Sequence, residues 1–197
     1  MSAVDLPTLT PEQAHEALFG DILTLHETRS ATFLPGALDD VTRERLALQG
    51  EALLRGLAVI DDGAPRVEDP EHPADPALLR LEAKLDVLTL LMTGFAAAQG
   101  AIDAPVALTW SARGAEVQVR GAFAVGTEGT FRMSASEWLP TPLVVPATVV
   151  ASASGDGGDD VTRVWLRFGP LSPSLADAVE RHVFRIHRRE VAEIRRR

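Results

Sequence analysis

Six apolar residues, Leu78, Leu81, Leu85, Leu88, Met92 and Phe95, stand 3, 4, 3, 4 and 3 positions apart. That spacing puts all six on one stripe of an α-helix and excludes a strand, whose faces alternate at every second residue. The helix it predicts covers about residues 76–99: Asp75 can cap it, Pro76 suits its first position, and Gly100 ends it. The stripe stops short of three full heptads, and Leu79, Leu90 and Leu91 widen the apolar face beyond a two-stranded seam. Such a face is buried either by a neighbouring helix of the same chain or by several helices around one axis. Upstream lies "DDGAPRVEDPEHPADP", whose four prolines make it an acidic, extended linker. A helix isolated in this way favours self-association through Leu78, Leu81, Leu85, Leu88, Met92 and Phe95.

Before the linker the sequence reads as helix and loop. In "TPEQAHEALF", Thr10 is an N-cap and Pro11 the first helical residue. A second helix is expected from about Asp39 to Gly56, with Leu46, Gly50, Leu53 and Leu57 as a possible partner stripe for the leucine helix. After residue 100 the period changes to two. "APVALTW" is a short apolar run, and "GAEVQVRG" alternates Ala115, Val117 and Val119 inward with Glu116, Gln118 and Arg120 outward. Phe131 and Met133 continue the pattern, and "PLVVPATVVASA" is a buried run that Pro146 places at an edge or a bulge. "VTRVWLRFG" sets Val164, Leu166 and Phe168 against Arg163, Trp165 and Arg167. Five strands with glycine-rich turns predict a small antiparallel barrel. A last helix from about Pro173 turns Leu175, Val179, Val183 and Ile186 toward it. The fold class expected is α+β: a helical region over 1–100, then a barrel with a C-terminal helix over 101–197.

At 197 residues and 46% hydrophobic content the chain can bury a real core. The net charge of −9 argues against nucleic-acid binding, which needs basic surface to displace counterions. Basic residues gather at the C-terminus, where Arg181, Arg185, Arg188, Arg189, Arg195, Arg196 and Arg197 face three glutamates. No run is long and apolar enough to span a membrane, the N-terminus carries no signal-peptide pattern, and cysteine is absent. A cytoplasmic location is expected. The five histidines are scattered, with His182 and His187 five apart rather than on one helical face, so no metal site is expected. The loop "GDGGDD" has calcium-ligand residue types without the ligand spacing and reads as a hairpin loop. No nucleophile elbow, phosphate loop or dinucleotide fingerprint is present, so no enzymatic activity is expected.

From about residue 103 to 190 the order of parts resembles a PilZ domain, the bacterial receptor module for cyclic di-GMP. The likeness rests on the S-x-x-G turn (Ser111 and Gly114), on "AVGTEGTFRM", on "LVVPATVVAS" followed by "RVWLRFGPLS", and on the helix "ADAVERHVFRIHRRE". The preceding "RLEAKLDVLTLLM", with Glu82, Lys84 and Asp86 among the leucines, further resembles an atypical proteobacterial subgroup in which an inserted helix joins four chains. The resemblance implies a homotetramer, a protein partner, and a role in cyclic di-GMP-linked control of motility, pili or virulence.

It also implies a ligand site: an R-x-x-x-R element ahead of the first strand and a [D/N]-x-S-x-x-G turn. Two arginines would grip phosphates and stack on guanine while the turn holds the other edge. Here "FAAAQGAIDAPVA", Phe95 to Ala107, has no arginine, and Thr109 replaces the acid or amide. Each lost charged hydrogen bond is worth roughly 1.5–3 kcal/mol, so losing two arginines weakens binding about a hundredfold or more. The expectation is a remnant site at Ser111, Arg113 and Gly114, with no cofactor. The alternative is a genuine receptor in which Arg113, Arg120 or the C-terminal arginines take over.

Overall fold

The computed structural model describes residues 9–62, 81, 85, 88, 104–136, 139, 141–155 and 160–196. Its centre is a closed antiparallel barrel of six strands, β1 (Leu25–Pro35), β2 (Pro105–Trp110), β3 (Gly114–Arg120), β4 (Glu128–Ser134), β5 (Pro142–Ser154) and β6 (Val161–Phe168), in the order β1-β2-β3-β6-β5-β4. Closure leaves no strand edge unpaired. Three helices, α1 (Pro11–Phe19), α2 (Asp40–Asp62) and α3 (Pro173–Ile194), pack on its outside.

Strands β2 to β6 fall where the alternation places them, and β1 does not. It comes from the part of the chain expected to be helix and loop. Its first half pairs with β2, from Leu25↔Trp110 to Ser30↔Pro105, and its second half with β4, from Ala31↔Met133 to Pro35↔Gly129. This one strand therefore closes the ring, and a boundary at residue 100 does not part helices from barrel. The leucine-stripe region is an insertion between β1 and β2. Only Leu81, Leu85 and Leu88 of the stripe are described; each is helical and half-exposed, at 54%, 52% and 56%. Leu78, Met92 and Phe95 lie outside the described residues.

The barrel is filled from every strand. Leu25, Phe33, Leu108, Trp110, Val117, Phe131, Met133, Val145 and Leu166 are all buried in one cluster. Pro146 stands at a local edge of the sheet and not at the bulge. It sits in the β4–β5 ladder one residue before β5 gains β6 as a second neighbour at Ala147, so its missing N–H disrupts nothing on that side. The bulge is at Val150, where the β5–β6 register shifts between Val149 and Ala151. It brings both Val150 and Ala151 into a second apolar cluster, outside the barrel, with Trp165 and with Ala14, Leu18 and Phe19 of α1. Trp165, expected among outward arginines, does point outward and is buried because α1 lies over it.

Local chemistry explains the helix ends. Thr10 Oγ1 accepts from Gln13 N at 3.3 Å while Gln13 Oε1 accepts from Thr10 N at 3.0 Å, a reciprocal capping box. Ser172 caps α3 at Leu175 N, with Pro173 following. The Asp39 carboxylate accepts from Thr42 N at 2.7 Å, and this bonding to Thr42 holds its pKa below the usual value. Helix α2 runs to Asp62, six residues past the expected end, because Gly56 faces open space and Leu57 continues the buried face. That face, Ala47, Gly50, Leu54 and Leu57, packs on the barrel and α3. A Cβ on Gly50 would stand 3.1 Å from Leu175 Cδ1 and 3.3 Å from Leu143 Cδ1, so glycine sets the approach. Gly50 and Leu57 are thus engaged with the barrel and α3.

Candidate functional site

The β2–β3 turn carries Ser111, Arg113 and Gly114, and the fold brings α1 down upon it. Ser111 is wholly buried. Its Oγ donates to Leu18 O, in the last turn of α1, at 2.8 Å and accepts from Arg113 N at 3.0 Å. Ser111 N donates to Gly114 O at 2.9 Å, and Phe168 N to Arg113 O at 2.9 Å. The hydroxyl and the turn's backbone are thereby satisfied within the chain. Gly114 is sealed as well: an added Cβ would overlap the Leu166 carbonyl and stand 2.9 Å from Leu18 Cδ2. The Arg113 side chain is exposed and forms no ion pair with any described residue. Thr109, at the acid-or-amide position, bonds His26 Nδ1 at 3.0 Å. Of the three expected residues, two face inward under α1 and one points away from them.

The barrel's true first strand bears on the missing arginines. The segment that leads into β1 is residues 1–24, and the first arginine of the chain is Arg29. Neither residues 1–24 nor the segment from Phe95 to Ala107 holds an arginine or a lysine. Arg29 itself shares the inward face with Leu25, Ala31 and Phe33; its Nε lies 2.6 Å from Glu27 Oε2, and its NH1 donates to Ser134 O at 3.2 Å. Trp110 Nε1 donates to Glu27 Oε1 at 2.7 Å. This part-buried charge pair, tied to Ser134 O and Trp110 Nε1, links β1 to its neighbours rather than facing a ligand. The sequence signal was there, as the alternation of Leu25, Glu27, Arg29, Ala31 and Phe33, but two charges at core-facing positions disguised it.

Next to the turn an open groove of about 690 Å³ runs between α3 and the α1–β1 connection. Ala112 of the turn lines it, with Ile22, Leu23, Val183 and Phe184 as apolar wall. Three arginines (Arg181, Arg185, Arg188) and three carboxylates (Asp21, Asp177, Glu180) also line it, so its formal charges balance. Arg181 lies 3.6 Å from Asp177. Arg185 NH2 donates to Leu54 O at 3.4 Å and contacts His182 Nδ1 at 3.3 Å, tying α3 to α2. His182 is buried and its Nε2 lies 3.1 Å from Ala135 O; a carbonyl only accepts, so Nε2 carries the proton and Nδ1 is the acceptor for Arg185. His15 pairs with Glu116 at 3.1 Å. Among the described residues no three histidines or carboxylates gather in a metal-binding arrangement. His72 and most of "GDGGDD" lie outside those residues.

A family model described as the atypical PilZ domain, a cyclic di-GMP receptor, matches residues 54–196. Among solved structures, a pathogenic protein from Xanthomonas campestris, reported as a new tetrameric PilZ domain self-assembled via an unusual helical bundle, is similar with a TM-score of 0.77. It is 35% identical, and the match covers 92% of this chain and 97% of that one. No curated protein matches the chain. The family model spans most of the chain and the solved structure shares its overall fold: the chain belongs to the atypical PilZ family.

Proposed function

We propose that this chain is a non-enzymatic, cytoplasmic signalling adaptor that self-associates through its leucine helix and displays several barrels to a protein partner, its own cyclic di-GMP site being a remnant. The observation that carries the reading is the inward engagement of Ser111 and Gly114 beneath Leu18. Both a hydroxyl and an open glycine would be needed at the surface to cradle a dinucleotide, and residues 1–24 and 95–107 hold no arginine to supply the charge. The half-exposed Leu81, Leu85 and Leu88 support self-association. So does the Xanthomonas protein's tetramer, on which the preference for four copies rests. Among the described residues no helix is long and apolar enough to cross a membrane. The link to motility, pili or virulence follows the family resemblance.

Calorimetry of the full chain with cyclic di-GMP tests the remnant site. No binding is expected up to about a hundredfold above the micromolar range of a good receptor. Micromolar binding that disappears in Arg113→Ala overturns the reading. One observation favours the rival, a receptor with a rearranged site: Ala112 and Arg181, Arg185 and Arg188 border the same groove. Binding lost in Arg188→Ala and kept in Arg113→Ala selects that version. Assembly is tested by light scattering, where a tetramer is expected and a wild-type monomer ends the display model.

A further inference from the structure

The outer face of α3 carries a second stripe that the barrel does not use. Arg181, Phe184, Arg188, Val191 and Arg195 are spaced 3, 4, 3 and 4 apart, the solvent-side counterpart of the inward Leu175, Val179 and Val183. Phe184 is 53% exposed and Ile194, near the stripe's end, 74%. Burial in α3 stops at Ile186, so the helix's last two turns project past the core. The 690 Å³ groove meets a second one of about 540 Å³, lined by His187, Arg188, Val191, Ala192, Arg195 and Arg196, and Arg188 belongs to both. Together they run as a shallow trench along α3, with Val183, Phe184 and Val191 among the arginines.

Charge defines what fits. Residues 181–197 hold seven arginines and two glutamates inside a chain of net charge −9. Arg188, Arg195 and Arg196 pair with no carboxylate among the described residues; Arg188 instead lies over the Phe184 ring, 6.0 Å from its centroid. Aromatic and arginine side chains side by side in a concavity are the usual energetic centre of a protein contact. We propose that this trench docks an acidic amphipathic helix of a partner protein, its apolar residues over Phe184 and Val191 and its carboxylates against Arg188, Arg195 and Arg196. A lipid surface fits less well. Asp21, Asp177 and Glu180, which line the same groove, would face anionic headgroups. The same carboxylates and the chain's overall charge oppose nucleic-acid phosphates.

The test uses the full chain and a fluorescent 20-residue peptide with leucine at 3-and-4 spacing and glutamate elsewhere, read by anisotropy. A scrambled peptide, phosphatidylserine vesicles and duplex DNA run beside it. Binding should weaken at least tenfold in Arg188→Glu with Arg195→Glu, at least tenfold in Phe184→Ser, and on scrambling, and should fall with added salt. All three side chains are exposed, so circular dichroism and the assembly seen by light scattering should match wild type. Absence of binding, equal affinity in wild type and variants, or equal affinity for the scrambled peptide overturns the proposal. Stronger retention on vesicles or DNA than on peptide reassigns the face and overturns it too. Altered assembly in the variants would make the face a contact between copies, again against the proposal. None of these outcomes depends on Ser111 or on the leucine helix, so failure here is separable from failure of the adaptor reading.

Discussion

Helix α2 and the leucine helix carry apolar residues at the same 3-and-4 spacing and meet different ends. In α2, Leu54 and Leu57 are 1% and 2% exposed against barrel and α3, whereas Leu81, Leu85 and Leu88 keep about half their surface in the single chain. Period alone fixes that both are helices; it says nothing of what covers them. The difference comes from residues between the stripes. Gly50 lets α2 approach Leu143 and Leu175 at van der Waals distance, and Arg185 reaches across to Leu54 O. Nothing comparable in the sequence marks the leucine helix for the barrel.

The largest expected effects exploit this contrast. Leu54→Ala removes a fully buried side chain and should destabilise the protein by roughly 2–5 kcal/mol in denaturant unfolding, since the site is pinned between two helices and the barrel. Leu85→Asp with Leu88→Asp should leave barrel unfolding nearly unchanged while reducing the mass seen by light scattering. Were the double variant to unfold like Leu54→Ala, both stripes would be core and the contrast would collapse.

A second contrast lies between the β2–β3 turn and the outer face of α3, both bearing residues of ligand-binding type. The turn is engaged inward; the face is not. Gly114→Ala drives a methyl into the Leu166 carbonyl and should cost about 1–3 kcal/mol of stability. Ser111→Ala deprives two backbone groups, Leu18 O and Arg113 N, of their partner and should cost about 1–3 kcal/mol. Calorimetric heats with cyclic di-GMP should stay at baseline in both. A stable Ser111→Ala protein would mean that the hydroxyl is not holding α1, and would reopen a binding role for it.

How much of this was legible follows from where each partner lies. The cap of α1 could be read because Thr10 and Gln13 are three residues apart. The inward sides of β3, β4 and β6 could be read because alternation is local. Strand β1 could not, because Glu27 and Arg29 sit at core-facing positions and balance each other only once folded. The S-x-x-G turn was recognisable as a motif, but its orientation depends on Leu18, 93 residues away from Ser111. Nor could the sequence show that α1 roofs Trp165, since the patch beneath it arises from a bulge at Val150. The α3 arginines were visible as a cluster; that Phe184 lies among them on an open face required the helix to be placed.

The smallest effect sharpens the first contrast at the start of α2, and it is a matter of acid rather than of amplitude at neutral pH. Asp39 has its pKa lowered by its bonds to Thr42. A carboxyl depressed on folding contributes stability that is present above its unfolded pKa and is lost as pH falls through the lower folded value. Asparagine caps a helix about as well as aspartate and does not titrate. Asp39→Asn should therefore match wild type near neutrality and hold its α2 amide protection better than wild type as the solution is acidified below the ordinary aspartate range. Hydrogen exchange of the first turns of α2, followed against pH, reads the difference directly. Parallel profiles would show that the ionised cap adds nothing to the anchoring of α2, and the burial of Ala47, Gly50, Leu54 and Leu57 would then account for its attachment without help from its first turn.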